Sequence, residues 1–213
     1  MEGLIIRTET AADHRAVEGL TREAFWNVHV PGCDEHYLVH SMRSHPDFIP
    51  QLALVAELEG QLVGNVMYAK CRLTDETGAE KEILTFGPLT VHPDHQRRGI
   101  GKALLERSFE IARALGYDTI VIFGHPGNYI SRGFVSCKKR NVSTPGGKFP
   151  CAMLVKELVP GALEGHTWVY HESPAYEVDP AGFAAFDAAF PPKEKEWRPS
   201  QEEFYIYSHS ALQ

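Results

Sequence analysis

The sequence predicts one α/β domain of the mixed α+β kind, and three observations carry that reading. First, residues 83–86 and 89–91 read as a strand, while Ile100, Ala103, Leu104, Ile111, Ala112 and Leu115 recur at helical spacing. The glycine-bearing stretch Gln96-Arg97-Arg98-Gly99-Ile100-Gly101 joins the two. Second, the apolar runs 52–56 and 62–68 meet tightly at Glu59-Gly60, a hairpin signal. Third, 213 residues with 43% hydrophobic content suffice for one well-buried core and are too few for two ordinary domains.

The elements follow in order. Residues 4–8 form an opening strand, and Thr10 with Asp13 makes an N-cap with an acid in the first turn. The helix that follows carries Ala12, Ala16, Val17, Leu20 and Ala24 on one face and runs to about Phe25. A second helix covers 35–43, after the break at Pro31-Gly32. The hairpin comes next, and the polar run 74–80 is a loop. The strand after it contains Gly87-Pro88, where proline removes a ladder hydrogen bond and glycine weakens the pairing. A bulge or splaying of neighbouring strands is expected there, freeing backbone groups for a ligand. The long helix stops near Gly116, and residues 119–123 form a short buried strand. Residues 124–134 read as a loop, one or two helical turns and a glycine stop. Residues 138–150 are a basic loop and 151–155 the last clear strand of the core. Farther on, 168–170 is an added strand. Phe183, Phe186 and Phe190 mark a short amphipathic helix, broken by Pro191-Pro192. This segment is expected to pack on the core, because its aromatics need burial.

A formal net charge of −7 without a sustained basic stripe argues against nucleic acid as a partner. The start lacks a basic region followed by a long apolar stretch, and no apolar run approaches the ~20 residues that span a bilayer. No membrane partner and a cytoplasmic location are expected. Cys33, Cys71, Cys137 and Cys151 form no C-x-x-C pair and read as reduced thiols. His92 and His95 flank a turn without a recognisable ligand set, so no metal is expected. The stretch 96–101, in contrast, has the form of an anion site. Its glycines let successive N–H groups point into one concavity, and the helix N-terminus adds about half a positive charge. A dinucleotide-binding loop is the weaker reading, since the third glycine of G-x-G-x-x-G is absent.

These motifs resemble those of the GNAT superfamily of acyl-CoA-dependent N-acyltransferases. Residues 6–13 resemble its first strand and helix, and Gln96-Arg97-Arg98-Gly99-Ile100-Gly101 is similar to its Q/R-x-x-G-x-G/A signature. The stretch from Tyr129 through Gly133-Phe134 resembles its Y-x-x-x-G-F ending. Residues 87–93 and 159–171 further resemble a bacterial subgroup of predicted acetyltransferases with a C-terminal extension. The resemblance covers about residues 3–176. It implies a mixed, mostly antiparallel sheet of six to seven strands flanked by helices, with splayed fourth and fifth strands holding a pantetheine arm. On this basis 3–157 is the acyl-CoA-binding catalytic domain and 158–213 an extension packed on it. The resemblance further implies that Leu89 and Val91 offer backbone groups to the arm. It implies that Gln96, Arg97, Arg98, Gly99, Ile100, Gly101 and Lys102 wrap the pyrophosphate of acetyl-CoA, the co-substrate, and that Asn128 adds a contact.

The activity implied is direct attack of a primary amine of a small molecule or peptide on the acetyl thioester. The resemblance implies that Tyr129 stands where the family keeps the phenol that stabilises or protonates the leaving sulfur. With a reference pKa of about 10, against about 8.5 for a thiol, a phenol is still a donor at neutral pH. An amine of pKa about 10.4 is neutral in less than roughly one part in a thousand at pH 7, so a proton acceptor is needed. Some relatives place a glutamate on the fourth strand, where this chain has Thr85. Glu82, His92, His125, Glu35 and His36 are the nearby candidates, and the sequence selects none of them. The missing carboxylate keeps open an alternative, a non-catalytic acyl-CoA sensor or interaction module. The acceptor amine is unidentified, and the sequence leaves room for a homodimer.

Overall fold

The computed structural model describes residues 3–213, so Met1 and Glu2, the first residues of the segment read for a leader, lie outside the described residues. In chain order the strands are β1 (Leu4–Thr8), β2 (Leu54–Leu58), β3 (Gln61–Asp75), β4 (Glu80–Val91), β5 (Thr119–Phe123), β6 (Val135–Ser136), β7 (Val142–Ser143), β8 (Phe149–Pro150), β9 (Met153–Glu157), β10 (Trp168–His171) and β11 (Ala211–Leu212). The helices are α1 (His14–Phe25), α2 (Glu35–Met42), α3 (Ile100–Ala114), α4 (Pro126–Tyr129), α5 (Pro180–Asp187) and α6 (Pro199–Ser208).

Seven strands form one path in the order β1-β2-β3-β4-β5-β9-β6, and β10 with β7 adds two more. All pairs along the path are antiparallel except β4 with β5. Strand β3 is long enough to pair β2 along its first half and β10 along its last four residues, Arg72 to Asp75. The sheet therefore meets the expected six to seven strands on its main path and exceeds them at its edge. The basic stretch 138–150, expected to be a loop, holds a short 3-10 turn and the two-residue strands β7 and β8. Trp168↔Val142 and Ala211↔Pro150 pairing orders it, information that its own composition does not carry.

Thr10 starts the first helical segment as expected. The Asp13 carboxylate accepts from the Thr10 N–H at 2.8 Å and hydroxyl at 2.7 Å, and also takes both guanidinium nitrogens of Arg7 at 2.7 and 2.9 Å. The Arg7 guanidinium holds the Asp13 carboxyl well below the usual carboxylate range. Two packed layers flank the sheet. Ile100, Leu104, Leu105, Phe109 and Ala112 of α3 close one face over Leu54, Val66, Tyr68 and Phe86, while Val17 of α1 and Val39 and Met42 of α2 close the other over Val55, Met67 and Ala69. The alternation of strand side chains thus sorts β3 into both cores at once.

The feature that makes a site lies between β4 and β5. Their only ladder pair is Leu84↔Ile120, and beyond it the strands part. Opposite, the β3–β4 register slips between Val66↔Leu89 and Tyr68↔Phe86, so that Gly87 and Pro88 bulge. From Thr85 onward one edge of β4 has no strand beside it.

A cleft between two unlike walls

The parted strands open onto a cavity of about 590 Å³. Leu89, Val91, Gln96, Asn128 and Tyr129, all expected at the site, line it together with Phe86, Gly87 and Pro88. Arg97, Arg98, Gly99, Ile100, Gly101 and Lys102 adjoin it as the loop and first turn of α3 rather than as lining side chains. Arg97 at φ 59° and Gly99 at φ 90° take left-handed conformations that curl the chain into a nest. Glycine at 99 is what makes this inexpensive, since a Cβ there costs about 1–2 kcal/mol. Among the described residues, no backbone carbonyl outside the helix accepts from the N–H groups of 97–102; the next donor is Ala103, to Gly99.

The loop side chains turn elsewhere. Gln96 donates to the Val91 carbonyl at 3.2 Å, Arg98 donates to His95 at 3.2 Å, and Lys102 pairs with Glu106 at 3.6 Å. Ile100 is buried in the main core, so only its backbone faces the nest. Gly101 backs onto Leu89 and Val91, which docks the N-terminus of α3 beside the free edge of β4. The resulting cradle is backbone, positioned by side chains that point away from it.

Tyr129 sits at the end of α4, its ring 5.8 Å from both Phe86 and Phe134. A Cβ on Gly124 would come 2.5 Å from that ring, so the residue after β5 must be glycine for the tyrosine to lie here. Its hydroxyl has no hydrogen-bond partner among the described residues, and burial, with Tyr207 close by, pushes its pKa up to about 12.

The opposite wall joins segments far apart in the sequence. Phe25 ends α1, Val28 and His29 follow it, and Ser200, Glu203, Phe204, Tyr207 and Ser208 come from α6. Helix α6 spans the mouth of the cleft. Phe204 stacks on His29 with centroids 4.5 Å apart, and Tyr207 meets His125 edge-on at 5.1 Å. Two signals pointed to the helix: Pro199 at its first position and the i, i+3 pair Phe204 and Tyr207. Nothing in the sequence says where such a helix docks.

The docking is done by side chains. Asp187 at the end of α5 accepts from Arg22 at 2.8 Å and from His36 at 3.0 Å, and the His36 ring is fully buried among Phe183, Phe186 and Phe190. Burial pushes the His36 pKa down, so its neutral ring donates to Asp187 and turns its other nitrogen to the Cys33 thiol at 3.5 Å. Cys33, His36 and Asp187 have the composition of a nucleophilic triad, but burial pushes the thiol pKa upward and keeps it protonated. The cluster is a latch, continued where Trp26 and Asn27 donate to the Glu194 carbonyl and Gln201 donates to that of Asn27.

Most of the candidate bases fall away on geometry. Glu82 does not line the cavity and accepts from Tyr117 at 3.0 Å. His92 and His125 each accept a backbone N–H at Nδ1, from Asp94 and Gly127, so their neutral rings carry the proton on Nε2. His36 belongs to the latch. Thr85 is buried on the face away from α3.

This arrangement agrees with the comparisons. The family model described as "Acetyltransferase (GNAT) family" matches residues 22–137, and the chain belongs to that family. It is 30% identical over 100 residues to an uncharacterized N-acetyltransferase, YjhQ, of Escherichia coli K12, a match covering 47% of this chain and 55% of the relative. The chain thus spans about half the length of that curated relative. Among solved structures it is similar to a GNAT family N-acetyltransferase, YhbS, from Escherichia coli in complex with CoA, with 25% identity, a TM-score of 0.66, and 79% of this chain and 90% of that one covered. A GNAT family acetyltransferase from Brucella melitensis in complex with acetyl-CoA shares the fold at 23% identity and TM-score 0.65, over 83% of this chain and all of that one. Among the described residues no helix is long and apolar enough to cross a membrane, and no group of three or more His, Cys, Asp or Glu side chains is placed to hold a metal ion.

Proposed function

We propose that the protein is an acetyl-CoA-dependent N-acetyltransferase that passes an acetyl group to a primary amine of a small molecule or peptide. The observation that carries this reading is the cradle of 97–102 at the rim of a cleft whose inner end holds an unpartnered phenol. The residues fit the co-substrate. Backbone donors suit a diphosphate, and the free edge of β4 at Leu89 and Val91 suits the amides of a pantetheine arm lying where β5 would have paired. Gln96 acts by tying the loop to Val91, and Asn128 is free to meet the arm. Similarity of the fold to structures solved with CoA and with acetyl-CoA supports the same reading.

In the transfer, the amine nitrogen bonds to the thioester carbon and the carbon–sulfur bond breaks, its electron pair passing to sulfur. A backbone N–H at the bulged stretch of β4 stabilises the oxyanion as it develops. Tyr129, held protonated by its surroundings, gives its proton to the thiolate and recovers one from solvent. The amine enters between α6 and the end of α1, against Phe25, Phe204 and Tyr207, a wall that favours amines with an apolar or aromatic body. We assign 3–157 to the catalytic domain and 158–213 to the extension that supplies the α6 part of this wall.

Thermal shift with CoA, acetyl-CoA, NAD and ATP is the test, followed by release of free thiol with pooled amines. Acetyl-CoA at a hundred times its Kd is expected to add about 2.7 kcal/mol of stability, and NAD or ATP none. Stabilisation by NAD alone overturns the proposal. The presence of Thr85 in place of a carboxylate favours the second reading, an acyl-CoA sensor, and binding without turnover of any amine would establish it.

A further inference from the structure

Resting on the acetyl-transfer reading, we propose that His29 is the proton acceptor for the attacking amine and that Glu35 is its positioning residue. His29 follows α1 and lines the same cavity as Tyr129. Its Nδ1 lies 3.1 Å from Glu35 Oε1, and the other carboxylate oxygen of Glu35 accepts the Asp34 N–H at 3.2 Å. The ring stacks on Phe204 of α6 and meets Phe25 edge-on at 5.6 Å, so it is fixed on two sides as well as along its Nδ1 axis. A carboxylate facing Nδ1 places the neutral ring's proton there and leaves the Nε2 lone pair without a partner among the described residues. This is the opposite tautomer to that of His92 and His125, whose Nδ1 atoms accept backbone N–H groups. Of the histidines bordering the cleft, His29 is therefore the one able to take a proton from its interior.

The titratable groups around it are Asp34 and Glu35 at the head of α2, Glu203 and Tyr207 on α6, and His125 across the cavity. Three of these are carboxylates, which favour the imidazolium that forms. The ammonium first gives one proton to Nε2, and as the neutral nitrogen then bonds to carbon its surplus proton passes to solvent. Tyr129 protonates the departing sulfur, and imidazolium and phenolate then exchange one proton each with solvent. Thioester and ammonium become amide, thiol and one released proton.

The test compares wild-type, His29→Gln, Glu35→Gln and Glu35→Asp protein with two nucleophile classes, alkyl amines, which are protonated at neutral pH, and hydroxylamine, which is not. Acetyl-CoA binding is followed by calorimetry. For alkyl amines His29→Gln is expected to lower kcat about a hundredfold or more and to abolish the acid limb of the pH profile. Glu35→Gln is expected to lower kcat about tenfold, and Glu35→Asp, which keeps a carboxylate, to restore most of that loss. With hydroxylamine all three variants are expected to stay within about threefold of wild type, and acetyl-CoA affinity to be unchanged. A His29→Gln protein equally impaired toward both nucleophiles, or toward neither, overturns the dyad while leaving acetyl transfer standing. Wild-type protein that binds acetyl-CoA and acetylates no nucleophile overturns both. Wild-type protein that ignores acetyl-CoA overturns the underlying reading first.

Discussion

The two walls of the cleft are made of different material. On the β4–α3 side the ligand-facing surface is backbone, and the side chains of Gln96, Arg98 and Lys102 turn to Val91, His95 and Glu106. On the α1–α6 side it is made of side chains, Phe25, His29, Phe204 and Tyr207, brought from opposite ends of the chain and held there by the Arg22–Asp187–His36 latch. A backbone wall depends on where a few residues adopt unusual φ values. A side-chain wall depends on long-range docking. The first should tolerate side-chain changes and resist backbone ones, and the second should do the reverse.

The largest effect is expected at the latch. Asp187→Ala leaves the Arg22 guanidinium, 6% exposed, without its carboxylate, and takes away the His36 acceptor. Removing one partner of a buried pair costs about 3–5 kcal/mol, to be read from urea unfolding. A loss below about 1 kcal/mol would mean that the aromatic contacts alone hold the α6 wall, and the contrast with the other wall would collapse.

Tyr129→Phe comes next. In the role proposed for Tyr129, loss of the general acid is worth about a hundredfold or more in kcat, with acetyl-CoA affinity unchanged because the ring keeps its place between Phe86 and Phe134. The pH dependence has a definite sign. Burial raises the phenol from its unfolded value of about 10 to about 12, so the acid stays protonated and kcat shows no loss from this group up to about pH 10. Its contribution to stability is likewise complete below the unfolded value and is lost as pH climbs through the folded one. A drop in kcat near pH 9 that vanishes in Tyr129→Phe would overturn the raised pKa, and an unchanged kcat in Tyr129→Phe would overturn the proposed role.

How much of this was legible in the sequence follows the same division. The strand-loop-helix at 83–115, the Glu59-Gly60 hairpin, the bulge at Gly87-Pro88 and the glycine stop at Gly133 are local, and each has its signal within a dozen residues. Tyr129 and the nest were readable for that reason. Helix α6 has a readable start at Pro199, but its docking depends on Gln201 meeting Asn27 and on Ala211 pairing Pro150, contacts that no short window contains. The role proposed for His29 rests on Glu35 and on its stacking neighbour Phe204, contacts that its immediate sequence neighbours do not reveal. His36, a candidate for the site by sequence, is instead a fully buried part of the latch.

On the side-chain wall, Phe204→Ala removes the ring stacked on His29 and part of the acceptor surface. An aromatic contact of this kind is worth about 0.5–1.5 kcal/mol, so KM for an aromatic amine is expected to rise up to about tenfold while acetyl-CoA affinity holds. Steady-state kinetics against aromatic and small alkyl amines checks it. An equal rise for both would mean that the ring supports His29 and does not contact the acceptor.

The smallest pair of effects separates backbone from side chain within two adjacent residues. Gly99→Ala forces a Cβ into φ 90°, about 1 kcal/mol or more of strain, and a nest that relaxes to relieve it loses its aim; acetyl-CoA is expected to bind about fivefold more weakly. Arg98→Ala removes a full positive charge from the same loop, which a charge-based site would feel more. The side chain is exposed and turned to His95, and screening at physiological salt leaves such a charge little hold on the diphosphate. Its affinity is expected to stay within about twofold of wild type and to differ less still as salt is raised. Calorimetry on the two variants orders them. If Arg98→Ala proved the weaker binder, with a steep dependence on salt, the cradle would be a cluster of charges and the distinction between the walls would be lost.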